Sequence, residues 1–239
     1  MPESVASPGS HGRDRRASAT EAIEDYAKAI HALAGREPGP VGTSALAERL
    51  GVSPGTVTSM CKRMAELGLV VYEPYQGVEL TAAGERVALE VIRHHRLLES
   101  FFADALGMPW DQVHDEAEVL EHYISEELEE RIAAALGDPE RDPHGDPIPD
   151  RDLTITDPFP GVPLLELEAG SGGTFARVSD GHPEMLRFLD EAGIRPGAGI
   201  RVLRREPFGG AVVVSAARGE CPIGPDLAAR MLVVPKRDA

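Results

Sequence analysis

His114-Asp115-Glu116-Ala117-Glu118-Val119-Leu120-Glu121-His122 is the stretch that decides how this chain is read. At about 100° per residue along a helix, His114, Glu118, Glu121 and His122 fall within a roughly 100° arc. Val113, Ala117, Leu120 and Ile124 form an apolar stripe beside that arc. A solvated acidic face would carry its charges opposite the stripe, whereas these four groups lie against it. Half-buried like charges repel unless a cation offsets them. A divalent metal is such a cation, and imidazole with carboxylate suits several. The pattern predicts one helix over 111–136.

Upstream, residues 1–17 are basic and almost free of apolar side chains, which predicts a disordered arm. Ser18-Ala19-Thr20-Glu21 is a capping box opening a helix with Ile23, Ala27, Ile30 and Leu33 inward and Asp25 on another side. Residues 44–50 read as a short helix and Gly51-Val52-Ser53-Pro54 as a tight turn. Ser53 caps the next helix, with Pro54 at its first position. That helix would bury Val57, Met60, Met64 and Leu67. Its outer face carries Ser53, Thr56, Thr58, Ser59, Lys62 and Arg63. Short hydroxyls early and bases late suit a recognition helix in a DNA major groove. A strand-turn-strand over 69–80 then reads as a wing. The long helix that follows sets His95 and Glu99 one turn apart on one face, with His94 pointing elsewhere.

Downstream, Pro139, Pro143, Pro147 and Pro149 forbid a helix and stiffen the path. The remainder reads as short strands at 164–167, 173–178, 200–204, 211–215 and 230–234, with one helix at 183–192. That is a small β-barrel. The expected organisation is a multidomain α+β chain. It has an arm at 1–17, a winged helix-turn-helix at 18–81, a helical metal-binding and dimerisation domain at 82–149, a linker at 150–161 and a β-barrel at 162–239.

The chain has 239 residues and a net charge of −16, which argues against an unselective polyanion binder. Cys61 and Cys221 fit no metal or redox spacing and point to a reducing compartment. No apolar run spans a bilayer and no secretory signal is present, so the expectation is a cytoplasmic protein with no membrane partner.

The winged helix, the 114–122 stretch and Arg141-Asp142-Pro143-His144-Gly145-Asp146-Pro147-Ile148-Pro149 together resemble the diphtheria-toxin-repressor family, in its manganese-dependent, three-domain actinobacterial branch. The likeness runs from about residue 20 onward and is strongest over 43–149. It implies a homodimeric, metal-activated repressor of double-stranded operator DNA, with an SH3-like tail and no organic cofactor. By position it implies a primary metal site of Asp25, Glu118, Glu121 and His122. A second site would use His95, Glu99 and His114, with Asp180, His182 and Glu184 as tail-domain candidates. Iron-responding relatives carry methionine and cysteine where this chain has Asp25 and Glu118. Hard carboxylate donors favour Mn²⁺ over softer-site ions, with Fe²⁺, Co²⁺ or Zn²⁺ binding in vitro. Lys28 stands where shorter manganese regulators carry a glutamate, so separated sites are expected rather than a two-metal cluster.

Three alternatives stay open: an iron-dependent regulator of the same architecture, a helical metalloenzyme, and a metal-independent winged-helix protein with a merely structural ion. Against catalysis, the apparent ligands leave no dedicated general base, and no phosphate loop or nucleophile motif is present.

Overall fold

A computed structural model describes residues 10–35, 39–158, 161–179 and 181–236, with side chains from residue 20 onward. The chain divides into two compact units, Met1–Ile92 and Arg93–Ala239.

In the first unit, α1 runs Ser10–Ala34. It begins upstream of the capping box, and the part of the expected arm from Ser10 onward is helical; the rest lies outside the described residues. Once a turn exists, each added residue costs little, so a helix extends past a local cap signal. Ala27 and Ile30 are fully buried, as the periodicity predicts, and Tyr26 and Ala29 join them. α2 (Thr43–Leu50) ends at Gly51, whose φ of 65° is left-handed. α3 (Pro54–Glu66) starts at Ser53, whose side chain accepts from the Thr56 N–H. Val57 and Met64 are core residues; Cys61 is too, while Leu67 is exposed because it has passed the helix end. β1 (Val70–Glu73) and β2 (Gly77–Leu80) pair antiparallel as the wing. Thr81 then ties the wing to α4 (Ala82–Asp104): its hydroxyl donates to the Gly68 carbonyl at 2.7 Å and accepts from the Gly84 N–H. A Cβ on Gly84 would lie 2.0 Å from the Leu69 carbonyl oxygen, so only glycine permits this approach.

In the second unit, the helix expected over 111–136 is two helices. α5 is Val113–Leu120 and α6 is Glu126–Ala135. Ser125 breaks the run: its side chain accepts from the Leu128 N–H, and Glu126, Glu127 and Glu129 fill the first turn of α6, where the helix dipole favours acids. The stripe is accordingly half right. Val113 and Ala117 are buried, Ile124 packs partly, and Leu120 is exposed.

The proline-rich segment is buried structure. Ile148 packs with Leu97, Leu98, Phe102 and Ile132, and Asp142 and His144 are buried. The Asp142 carboxylate accepts from the backbone N–H groups of His144 and Asp146, which fixes a turn.

Beyond it lies one antiparallel sheet in the order β3-β8-β4-β5-β6-β7. The strands are β3 (Val162–Pro163), β4 (Gly172–Val178), β5 (Gly199–Arg205), β6 (Val212–Ala216), β7 (Gly219–Ile223) and β8 (Met231–Pro235). Residues 164–167, expected as a strand, form a 3₁₀ turn at Leu164–Glu166. β7 and the short helix α8 (Pro225–Arg230) escaped the sequence reading; α7 (Pro183–Glu191) did not. The core of this part includes Trp110, from the α4–α5 connection, 1% exposed among Phe175, Val202 and Val214. Among the described residues, no helix is long and apolar enough to cross a membrane.

Candidate metal centre and nucleic-acid interface

Within the second unit, α4 contributes His95 and Glu99, one turn apart as expected, and both are buried. α5 brings His114 and Glu118 to them, and the turn after α5 brings Glu121 and His122. His95 Nε2 lies 3.0 Å from Glu99 Oε1 and 3.1 Å from His114 Nδ1. His114 Nδ1 is 3.3 Å from the same Glu99 oxygen. On the other edge of its ring, His95 Nδ1 meets Glu121 Oε2 at 2.5 Å and Glu118 Oε1 at 3.8 Å. Glu118 Oε1 is also 3.8 Å from His114 Nε2, and His122 Nε2 is 3.6 Å from Glu121 Oε1. One imidazole therefore touches both expected ligand sets.

The donor set fits a divalent ion. His95, His114 and Glu118 each offer a ligand atom, and these atoms lie within 4.8 Å of one another. Three carboxylates, Glu99, Glu118 and Glu121, crowd one imidazole, and a cation offsets such a cluster. All these donors are nitrogen or oxygen; Cys61 and Cys221 are buried in other cores. Burial opposes the Glu99 charge, but His95, then the nearby His114 and His144, outweigh it and hold its carboxyl well below the usual range. Glu99 is thus ready as an anionic ligand.

Glu99 also belongs to a second buried group, with Asp142 and His144, that the sequence reading missed. An acid and a histidine two residues apart inside a proline-rich loop was the available signal. Burial, then the Glu99 and Asp146 carboxylates, push the Asp142 carboxyl well up. His94 is not outside the network: its Nδ1 faces the Glu121 carbonyl oxygen at 2.9 Å and its Nε2 faces Glu129 at 3.1 Å. Both partners are acceptors, so this imidazole braces the turn that carries Glu121 and His122.

Of the tail-domain candidates, Asp180 lies outside the described residues. His182 and Glu184 stand 3.8 Å apart at the start of α7, and no cluster of three or more metal-capable side chains among the described residues includes either. Asp25 lies on α1, in the first unit.

The expected DNA-reading face sits on the turn and helix α3. Ser53, Thr56, Ser59, Lys62 and Arg63 are exposed and Thr58 is half-buried. The Thr58 and Ser59 hydroxyls donate to the carbonyls of Pro54 and Gly55, both at 3.0 Å. That leaves their oxygens as outward acceptors, suited to the amino groups of adenine or cytosine. Tyr75, which the sequence reading did not single out, is fully exposed at the wing tip with a φ of 68°.

Three family models match in succession: "iron dependent repressor, N-terminal DNA binding domain" over residues 18–78, "iron dependent repressor, metal binding and dimerisation domain" over 81–150, and "FeoA domain" over 162–235. The iron-dependent repressor IdeR of Mycobacterium tuberculosis is 34% identical over 205 residues, covering 81% of this chain and 88% of that protein. The chain belongs to the diphtheria-toxin-repressor family. It is a metal-dependent repressor, not an enzyme, with an SH3-like C-terminal domain. Within that family, the diphtheria toxin repressor of Corynebacterium glutamicum is 33% identical over 219 residues, covering 87% of this chain and 93% of that protein. A solved manganese-dependent transcriptional repressor in complex with manganese is 43% identical, with a TM-score of 0.82, covering 90% of this chain and all of that one. The family thus supplies relatives named for iron and relatives named for manganese.

Proposed function

We propose that this repressor is activated by manganese, acts as a cytoplasmic homodimer on double-stranded operator DNA and controls manganese homeostasis. The observation that carries the choice of ion is the donor set. Every ligand of the two proposed sites, namely Asp25, His95, Glu99, His114, Glu118, Glu121 and His122, offers oxygen or imidazole nitrogen, and none offers sulfur. Hard oxygen donors suit Mn²⁺.

Asp25 from the first unit, with Glu118, Glu121 and His122 from the second, would hold one ion; His95, Glu99 and His114 would hold another. A bound divalent ion supplies the positive charge that offsets these carboxylates. His95 donates from Nδ1 to Glu121, which orients the Nε2 edge of its ring toward Glu99 and His114. In a two-fold dimer, ligands shared between the units set the separation of the recognition helices, and half-sites on one DNA face repeat about every 34 Å. A ligand shifts such an equilibrium only by its differential affinity. Moving it from 1:99 to 99:1 takes about 5.5 kcal/mol, a total that two ions per subunit can share. Ser53, Thr56, Thr58 and Ser59 would approach bases, and Lys62 and Arg63 phosphates. The exposed side chains of Val119, Leu120, Tyr123 and Leu128 supply apolar area for the dimer contact.

An iron-activated regulator is the second reading, favoured by the identity to IdeR. Operator binding titrated anaerobically with Mn²⁺, Fe²⁺, Co²⁺ and Zn²⁺ separates the two. Activation by Mn²⁺ at lower free concentration than by Fe²⁺ supports the proposal; the reverse order overturns it.

A further inference from the structure

Glu99 is fully buried and faces two ways. Its Oε1 meets His95 and His114, and its Oε2 lies 3.5 Å from His144 Nδ1. His144, also fully buried, donates from Nε2 to the Trp110 carbonyl oxygen at 2.8 Å. Its ring stacks on the Trp110 indole, with centroids 5.7 Å apart and planes 17° from parallel. The Arg195 guanidinium lies 4.6 Å from the centre of that indole, which is embedded in the C-terminal core. The backbone of the same segment is fastened to β4: the His144 carbonyl accepts from the Val178 N–H at 3.0 Å, and Gly145 abuts Ala176.

We propose that His144 is the positioning residue that joins the Glu99 ligand to the C-terminal domain, so that loading of the His95–Glu99–His114 site and seating of Trp110 form one coupled equilibrium. This rests on the two-site reading given above. The argument is one of linkage. A carboxylate that binds an ion through one oxygen is oriented by the partner of its other oxygen, and such outer partners are typically worth 10–100-fold in metal affinity. Here that partner is packed against the only tryptophan in the chain. An ion on Oε1 draws charge from Oε2 and changes its contact with His144. By reciprocity, whatever fixes His144 changes ion affinity by the same factor.

Calorimetric Mn²⁺ titration of the full chain and of His144→Phe, which keeps the aromatic stack and removes both ring nitrogens, tests the proposal. Wild type should bind two ions per chain, and its Trp110 emission maximum and acrylamide quenching should change as one of the two binds. In His144→Phe, one affinity should fall about 10–100-fold with the total still two at saturation, and the Trp110 response should disappear. Two unchanged affinities in a folded variant overturn the proposal. So does loss of a whole equivalent at saturation, which would make His144 a ligand. Should the variant not fold, wild type alone decides: Trp110 emission and quenching constant through saturation by two ions overturn the coupling. A wild-type chain that binds a single ion sinks the two-site reading and this proposal with it.

Discussion

Glu121 Oε2 accepts a hydrogen bond from His95 Nδ1 at 2.5 Å, joining a candidate ligand of one metal site to a candidate ligand of the other. Glu121 is nearly inaccessible and follows the last turn of α5, so His95 on α4 sets the direction of its carboxylate. Replacing His95 with Phe should therefore weaken both sites, not one. Competition with a metal-sensitive dye, resolved into two binding steps, checks this. A variant that loses one step and keeps the other unaltered contradicts the shared role.

Asp25→Ala removes the one candidate ligand that the first unit supplies. The variant should remain a dimer and bind operator at the level of the metal-free protein, with no gain on adding Mn²⁺. Fluorescence anisotropy of a labelled duplex, with and without chelator, reads this; a full Mn²⁺ response excludes Asp25 from the site.

Glu118→Cys exchanges a hard oxygen for a soft thiolate. The order of activating ions should move toward Fe²⁺ and Co²⁺, with Mn²⁺ requiring higher free concentration. Unchanged manganese preference in operator titrations would refute the donor argument.

Burial opposes the charge of Glu129, yet hydrogen bonds from His94 and then Arg93 outweigh it and lower its pKa. A carboxyl depressed on folding contributes stability that is complete above its unfolded pKa of about 4.3 and is lost as pH falls through the folded value. Glu129→Gln should thus be less stable than wild type at pH 7, and the gap should narrow below about pH 4. Denaturant midpoints measured from pH 7 to 3 test the sign; a gap that widens with acid contradicts it.

Gly145 has a φ of 92°, and a Cβ there would lie 2.0 Å from the Ala176 carbonyl oxygen. Gly145→Ala should cost about 3 kcal/mol or more, from strain and clash together. Thermal unfolding of the second unit's core, followed by Trp110 emission, measures it; an unshifted midpoint would mean that the proline-rich segment is not held against β4.

Periodicity and turn chemistry made the recognition unit readable in advance. Ser53 and Pro54 announce the start of α3, the wing follows from strand alternation, and His95 and Glu99 share a helix face at any spacing of four. Residue type also made the candidate donors legible, because imidazole and carboxylate are chosen position by position. What the linear pattern misjudged depends on partners distant in the chain. Helicity alone would have continued through Leu120; the Ser125 cap ended it and put Glu121 and His122 in a turn. His94, Asp142 and His144 look like ordinary polar residues until packing removes water from them, and only then must each find a charged or hydrogen-bonded neighbour. Local sequence thus determined the helix-turn-helix, the wing and α4, and which side chains are candidate ligands. Tertiary structure decided which acid meets which imidazole, because desolvation and long-range contact act only once the chain has closed on itself.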